Sequence, residues 1–285
     1  MKKSITTILK IVISIAALWF VLTKVEVEDI INVYQKANLF WVIIAFLCYL
    51  VSRVMGAYRL NYFLRAANVQ LSEINNLKLY LLGMYYSLFL PGSIGGDGYK
   101  VYWLKKRYDV PVKQIVTALL FDRIMGMMII VVLLTFFYLL LGLPFGWLGV
   151  LGSSVGVGIA YWIVKNWFPP FLKAFVPTAF LSVTFHLIQI LCIWSLLYAL
   201  GVTTSFFAYS FIFLIASIAA AIPFTVGGAG ARELTFLYGA TYFGLVEPIS
   251  VGVSFMFYLF SLIVALTGSY YSFVNTAISQ PILEK

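Results

Sequence analysis

The stretches PGSIGGDGYK at 91–100 and PFTVGGAGAR at 223–232 decide how this chain can fold. Both follow the pattern P-x-x-x-G-G-x-G-x-K/R, and they begin 132 residues apart. Each follows a strongly apolar run and precedes another largely apolar run. A helix does not continue undisturbed through a proline and several glycines, so each apolar stretch is predicted to break here. In membrane proteins, broken helices at matching positions of two halves indicate a binding site near the bilayer midplane.

The composition indicates a polytopic membrane protein. Of the 285 residues, 63% are hydrophobic and 10% are charged, and the mean hydropathy is +1.01. Soluble globular domains do not have this balance, and the length favours one domain over 1–285. The net charge of +9 comes from basic residues that flank apolar runs. This pattern favours anionic membrane lipids, and not nucleic acid, as partners.

Apolar runs predict six full spans, and the charges between them predict the orientation. The spans are placed at about 5–23, 39–64, 114–141, 146–164, 178–200 and 248–274. Acidic residues place a loop at 24–38 outside, whereas Lys165 and Lys173, on either side of Pro169 and Pro170, mark a cytoplasmic loop. The N-terminus and the C-terminus are both predicted to be cytoplasmic, and the location is predicted to be the cell membrane.

The two broken stretches are predicted to be re-entrant hairpins, over about 74–107 and 206–244. Their apolar arms are shorter than the roughly 20 residues that a full crossing needs. With the flanking spans they form two repeat units, about 39–141 and 178–274, of opposite orientation. The predicted fold class is therefore an all-α polytopic membrane protein with about six transmembrane helices and two re-entrant broken-helix hairpins in an inverted repeat.

The hairpin loops bring charges into the apolar region. Lys100 and Arg232 occupy equivalent positions, and Asp97 and Glu233 stand close to them in sequence. An ionisable group at the bilayer centre costs about 2.5–3.5 kcal/mol, so these groups need partners. Either they form the clamps Asp97–Lys100 and Arg232–Glu233, or they line a cavity for an anionic group such as phosphate.

We favour the cavity, because glycines permit positive φ and expose N–H groups, and helix N-termini attract anions. The predicted substrate-binding residues are Lys100, Arg232, Gly95, Gly96, Gly98, Gly227, Gly228 and Gly230.

Asp122 and Arg123 lie within the predicted third span. Adjacent residues do not share a helix face, so each needs a separate partner. Either both make structural bonds between helices, or Asp122 pairs with Arg53 or Arg59 and helps to gate the site. Arg53 and Arg59 could instead snorkel to the headgroups. The predicted gating and charge network comprises Asp97, Asp122, Arg123, Glu233, Arg53 and Arg59.

Catalytic motifs are absent from the sequence. It contains no Walker motif, no HExxH and no metal-binding cluster. The single histidine, His186, is predicted at the start of the fifth span, where a structural hydrogen bond is favoured over a catalytic role. We therefore predict no catalytic or metal-binding residues, no cofactor, and no enzymatic activity.

Three segments resemble, in order, the signatures of the flippase-like membrane domain family, which includes the membrane region of lysylphosphatidylglycerol synthases. They are LPGSIGGDG at 90–98, FDRIMG at 121–126 and PFTVGGAGARE at 223–233. The resemblance covers about 5–275 and implies movement of a lipid with a polar headgroup between leaflets. It does not imply lipid aminoacylation, because the sequence has no synthase domain. At positions 99 and 100 the resemblance implies a small residue followed by Arg, but this sequence has Tyr99 and Lys100. Lys100 keeps the positive charge but lacks the bidentate fork of a guanidinium.

The sequence thus predicts a flippase for a phospholipid or a polyprenyl-phosphate-linked lipid, whose headgroup enters a cavity between the two hairpins. Two alternatives stay open. One is a membrane transferase that uses a polyprenyl-phosphate donor, with Asp97 or Glu233 as base. The other is an accessory subunit of a lipid synthase or glycosyltransferase. Formation of a homo-oligomer is also left open.

Overall fold

The computed structural model describes residues 12, 15–89, 95–222 and 228–273. Within these residues the chain forms twelve helices joined by short turns. In chain order they are α1 Ile15–Lys24, α2 Val27–Gln35, α3 Leu39–Ala66, α4 Glu73–Phe89, α5 Gly95–Arg107, α6 Val112–Leu140, α7 Gly146–Trp167, α8 Pro169–Ala199, α9 Phe206–Ala221, α10 Ala231–Phe243, α11 Glu247–Thr267 and α12 Ser269–Phe273.

Five segments of the described chain are long and apolar enough to cross a bilayer. They are α3, α6, α7, α8 and the stretch Glu247–Phe273, which contains α11 and α12. The prediction of an all-helical polytopic membrane protein is therefore confirmed. The first predicted span lies partly outside the described residues, and its described part, α1, is a shorter apolar helix. The six-span layout stays a prediction. The cytoplasmic location of both termini also stays a prediction, and residues 274–285 lie outside the described part of the chain.

The arms of the two predicted hairpins have the expected lengths. Helices α4, α5, α9 and α10 contain 17, 13, 16 and 13 residues. All four are shorter than the roughly 20 residues of a full crossing. Re-entry from opposite faces stays a prediction, because helix length alone does not fix the side on which a hairpin enters the bilayer.

The predicted loop conformation at 24–38 is wrong, because Val27–Gln35 forms helix α2, whereas the external location of this segment stays a prediction. Three acidic residues in this stretch suggested a loop, but Glu28 and Asp29 fall in the first helical turn, where they favour helix formation. Ile30 and Tyr34 lie four residues apart on one helix face. Ile30 is buried in a cluster with Val21, Val25, Leu237 and Val251, and Tyr34 packs against this cluster.

The predicted loop conformation at Pro169 and Pro170 is also wrong, whereas the cytoplasmic side of this connection stays a prediction. Helix α7 ends at Trp167 and α8 begins at Pro169. Prolines are well tolerated in the first helical turn, where the N–H group has no partner within the helix. Because α8 also continues through Pro177, the predicted start at 178 is too late. His186 consequently lies in the middle of the helix and not at its start.

The glycines of the two loops behave differently. Gly95, Gly96 and Gly98 belong to α5, and the expectation of positive φ is wrong for them. Gly228 and Gly230 both have φ of 85°, as predicted for a loop that reverses direction. Helix α5 therefore begins with residues of low helix propensity, since glycine costs about 1 kcal/mol relative to alanine in a helix. Gly227 and the rest of both loop centres lie outside the described residues.

Packing divides the chain into two compact units that interleave in sequence. The first unit takes its described residues from Met1–Leu50, Ser87–Gly95 and Ile188–Val264. The second unit takes its described residues from Val51–Tyr86, Gly96–Leu187 and Ala265–Lys285. Helices α3 and α8 therefore contribute one part to each unit. The predicted division into repeats at 39–141 and 178–274 is a different one and stays a prediction.

Gly268 provides a test of packing within the second unit. A Cβ atom at this position would collide with the carbonyl oxygen of Leu81 in α4. We expect Gly268→Ala to lower the Tm of the detergent-purified protein, because overpacking costs about 1–3 kcal/mol. Gly158→Ala in α7 is the matched control, since a Cβ there meets nothing within 4 Å. Equal Tm values for the two variants would contradict the close approach of Gly268 to α4.

Candidate functional site

Asp97 is the centre of a buried ionic cluster in the second unit. Its Oδ1 accepts a hydrogen bond from Lys100 Nζ at 3.0 Å, one turn along α5. Its Oδ2 accepts a hydrogen bond from Arg123 Nε of α6 at 2.5 Å. The side chains of Asp97, Lys100 and Arg123 are 17%, 10% and 27% exposed. Among the described residues, two cations thus face one carboxylate, and this positive balance suits an anionic ligand.

Lys100 is held in place by two residues of α4. A Cβ atom at Gly83 would collide with Lys100 Cε, so the absence of a side chain there makes room for the lysine. Lys100 Nζ also lies 5.1 Å from the ring centroid of Tyr80, within cation–π range. The rings of Tyr86 and Tyr99 stack at 3.8 Å and join α4 to α5 nearby. The sequence pattern identified Lys100, but it gave no signal for Gly83 or Tyr80.

A second buried ion pair joins α3 to α6. Arg59 donates from Nε to Asp122 Oδ1 at 2.7 Å and from Nη2 to Asp122 Oδ2 at 3.1 Å. Its Nη1 donates to Ser182 Oγ of α8 at 3.2 Å. This bidentate geometry requires the planar fork of a guanidinium. The predicted pairing of Asp122 with Arg59 is therefore observed, and the alternative in which Arg59 snorkels is wrong, because Arg59 is only 7% exposed.

The surroundings of this pair include the single histidine. A Cβ atom at Gly126 would lie 3.1 Å from Arg59 Nη1, so the glycine allows the guanidinium to approach α6 closely. The Gly126 carbonyl oxygen lies 3.3 Å from Nε2 of the buried His186. Arg53 and Arg59 lie over the ring of Phe185 at 5.1 and 5.4 Å. These contacts fit the structural hydrogen bond predicted for His186 and place Arg53 next to the pair.

Asp122 and Arg123 have separate partners, as their adjacency predicted. Asp122 bonds Arg59 of α3, whereas Arg123 bonds Asp97 of α5. One turn of α6 therefore anchors two different helices of the second unit. The sequence indicated that separate partners were needed, but the bond from Arg123 to Asp97 was not predicted.

In the first unit, Glu233 holds the backbone that leads into α10. Its Oε2 accepts the N–H of Gly230 at 2.7 Å, and its Oε1 accepts a hydrogen bond from Ser254 Oγ of α11 at 3.0 Å. Glu233 is 1% exposed. Its carboxylate satisfies an N–H group left open at the helix start and lies at the positive end of the helix dipole. These neutral donors, and not the predicted clamp with Arg232, hold the Glu233 carboxylate.

Arg232 and Tyr34 complete the surroundings of Glu233. The Arg232 guanidinium lies 4.9 Å from the ring centroid of Phe257 in α11. The Tyr34 hydroxyl donates to the Gly252 carbonyl oxygen at 2.7 Å. Burial, and secondly the Glu233 carboxylate, raise the pKa of Tyr34, which keeps its hydroxyl protonated and able to donate. Sequence reasoning missed Tyr34 because α2 was taken for a loop.

The fold and these clusters define a polytopic α-helical membrane protein that keeps ionic groups among its apolar helices. The chain belongs to the family described as the lysylphosphatidylglycerol synthase TM region, whose profile matches residues 7–171 and 165–268. The suspected family is thereby confirmed. The chain is also 27% identical over 144 residues to the UPF0104 membrane protein PH1989 of Pyrococcus horikoshii. That match covers 49% of the chain and 42% of the relative's length.

The pair of Arg59 and Asp122 provides a test of the buried network. We expect Asp122→Asn to destabilise the protein by about 3–5 kcal/mol, because it leaves a buried guanidinium without its counter-charge. The control is Glu73→Gln, which removes the partner of Arg65 in an ion pair whose side chains are 33% and 49% exposed. That change should cost no more than about 1 kcal/mol.

Thermal unfolding of both variants in the same detergent measures the difference. The double variant Arg59→Gln/Asp122→Asn should recover part of the loss, because it removes the buried charge as well. If Asp122→Asn lowers the Tm no more than Glu73→Gln does, the proposed burial and pairing of Arg59 with Asp122 would be refuted.

Proposed function

We propose that this protein moves a lipid with an anionic headgroup, either a phospholipid or a polyprenyl-phosphate-linked lipid, between the two leaflets of the cell membrane. The observation that carries the proposal is the cluster of Asp97, Lys100 and Arg123. It is buried, it has more cations than anions among the described residues, and it lies at the start of a 13-residue helix. A phosphate that crosses the bilayer needs a positively charged site that separates it from the hydrocarbon.

The geometry of the cluster favours phosphate over a neutral headgroup. Asp97 uses one oxygen for each cation and thereby orients both of them. The planar fork of the Arg123 guanidinium suits phosphate oxygens. The first turn of α5 lies at the positive end of the helix dipole. An anion would therefore be attracted to the described cluster, whereas an uncharged group does not offset its charge.

The first unit supports the same proposal with its own broken-helix start. Helix α10 follows Gly228 and Gly230, both at positive φ, and presents Arg232 in its first turn. Arg232 lies over Phe257, and the planar guanidinium is the side chain whose geometry best matches an oxyanion. We propose Arg232 as a second anion-binding residue, with Glu233 positioning the loop. Arg53, Arg59 and Asp122 stabilise the framework that holds Arg123.

The family supports a lipid as the cargo, since its description names the membrane region of a lipid synthase. Lipid aminoacylation is not part of the proposal. We propose that the anionic membrane lipids are the direct partners, and that a synthase or glycosyltransferase supplies or consumes the transported lipid. We also propose that both termini face the cytoplasm, as the basic residues beside the apolar runs predict.

The test is lipid translocation in liposomes that contain the purified protein and a trace of fluorescent phosphatidylglycerol. Membrane-impermeant dithionite destroys the fluorophore in the outer leaflet, so continued loss of fluorescence measures transfer from the inner leaflet. We expect Lys100→Gln to slow transfer by about tenfold or more, because a buried charge-assisted hydrogen bond is worth about 1.5–3 kcal/mol. Arg65→Gln, which removes a cation with a 49% exposed side chain, is the matched control and should retain the wild-type rate.

A folded Lys100→Gln protein with full activity would rule out its role in anion binding. Folding is judged by size-exclusion profile and Tm. A wild-type protein that transfers no lipid of either class, phospholipid or polyprenyl phosphate, would refute the proposed function itself.

We propose further that the protein leaves the lipid covalently unchanged. Both oxygens of Asp97 accept hydrogen bonds from cations, and such bonds favour the anion and make it a weak base. Mass spectrometry before and after incubation with a polyprenyl-phosphate sugar and phospholipid acceptors should therefore show the same lipid masses. A new lipid product that disappears in Asp97→Asn or Glu233→Gln would establish the transferase instead.

A further inference from the structure

We propose that Glu233 carries a proton during the transport cycle, so that lipid movement is coupled to a proton gradient. The inference rests on the proposed function, and it adds the driving ion and the residue that binds it. Its basis is the set of contacts around the Glu233 carboxylate within the first unit.

The three carboxylates buried deepest in the described chain differ in their donors. Asp97 and Asp122 accept hydrogen bonds from Lys or Arg side chains, which hold them as anions. Glu233 accepts from a backbone N–H and from a serine hydroxyl, both neutral. Uptake of a proton by a carboxylate with neutral donors leaves no opposite charge buried and unpaired, whereas uptake by Asp97 or Asp122 would do so. Glu233 is also the least exposed of the three, at 1%.

Ser254 makes both protonation states compatible with the same packing. In the anionic state its Oγ donates to Glu233 Oε1 at 3.0 Å. A hydroxyl is both a donor and an acceptor, so a proton on Oε1 can be donated back to Ser254 Oγ. The Ser254 hydrogen then turns to the carbonyl oxygen four residues earlier in α11, a common bond for a helical serine. The proton comes from water, and no covalent bond other than O–H forms or breaks.

The other titratable groups around Glu233 are compatible with this exchange. Tyr34 of α2 and Tyr258 of α11 lie within electrostatic reach of the carboxylate. Tyr209 of α9 receives a hydrogen bond from Ser250, and Arg232 stacks on Phe257. Lys24 of α1 and the acidic residues of α2 are exposed. Arg232 is therefore the charged neighbour that opposes protonation, and an anionic headgroup at Arg232 would weaken that opposition.

Protonation would act on the broken helix through Gly230. The Gly230 N–H bonds Oε2 at 2.7 Å, and this bond weakens when the carboxylate loses its charge. Gly230 stands at φ 85°, a region that glycine enters without steric cost, so its backbone can rearrange when the bond is released. The binding of one proton therefore loosens the start of α10, which is the helix that presents Arg232. In this way the protonation state and the anion-binding residue are mechanically linked.

The experiment uses the full protein in liposomes with fluorescent phosphatidylglycerol and a pH gradient imposed across the membrane. For one proton per lipid, the inner-to-outer ratio of the probe should change by up to about tenfold per pH unit. In Glu233→Gln the gradient should have no effect on this ratio, because the amide, which resembles the protonated acid, binds no proton. Glu247→Gln, whose carboxylate also accepts a hydroxyl hydrogen bond, from Thr241 at 2.7 Å, should retain the wild-type response.

A second measurement reads the proton directly and does not require transport. The infrared C=O stretch of a protonated carboxyl is followed against pH in the detergent-purified protein. We expect one component of this band to be absent from Glu233→Gln and retained in Asp97→Asn. In Ser254→Ala the frequency of that component should shift, because the carboxyl loses the hydroxyl that contacts Oε1.

The outcomes separate the two proposals. Transfer by the wild type that ignores the pH gradient, or a carboxyl band identical in the wild type and in Glu233→Gln, would overturn proton coupling and leave the flippase intact. Absence of any lipid transfer by the wild type would overturn the flippase and, with it, the coupling. A gradient response and a carboxyl band that both disappear with Glu233, and that both survive in Glu247→Gln, would establish the inference.

Discussion

The hydrocarbon of a bilayer offers no water to a charged side chain, so a membrane protein must provide partners for the charges that it buries. Each unpaired charge at the bilayer centre costs about 2.5–3.5 kcal/mol, so a stable fold must supply partners for it. The protein does so within single units. Asp97 binds Lys100 and Arg123, and Asp122 binds Arg59. The helices are consequently fixed to one another by their least hydrophobic residues.

The ionic contacts are also more selective than apolar packing would be. A leucine against lipid and a leucine against another helix have similar environments, so hydrophobicity alone specifies little inside a membrane. The bidentate contact of Arg59 with Asp122 requires one distance and one rotation of α3 relative to α6. Gly126 permits that approach, because a larger residue would meet the guanidinium. Such contacts specify which faces of apolar helices pair, and they thereby position Arg123 beside Asp97.

Much of this fold could be predicted from the sequence, and the failures have physical causes. Long apolar runs and the proline–glycine breaks predicted four of the five spans and the four short helices near their observed ends, and α8 near its C-terminal end. Helix α2 was missed because its acidic residues were interpreted as a loop, although they suit a helix N-terminus. The start of α8 was missed because Pro169 was taken as a breaker, although proline fits the first turn. Both errors arose because the residue type was considered without its position in the first turn of the helix.

Some contacts of the candidate site could also be predicted from the sequence, and others could not. The bond between Asp97 and Lys100 spans three residues of one helix, so sequence spacing could indicate it. The contacts of Gly83 with Lys100, of Ser254 with Glu233 and of Tyr34 with Gly252 join different helices. A small or aromatic residue in an apolar run does not indicate such a contact.

The buried carboxylates of this protein differ in the hydrogen-bond donors that surround them, and this difference limits what each can do. A carboxylate paired with a cation is fixed in charge by its partner, so Asp97 and Asp122 suit a rigid framework. A carboxylate held by a peptide N–H and a hydroxyl can change its charge without leaving an opposite charge buried and unpaired. Glu233 has that second environment, at a helix start that glycine leaves free to move. The donors around a membrane carboxylate, more than its depth, therefore separate a structural acid from one that can exchange a proton.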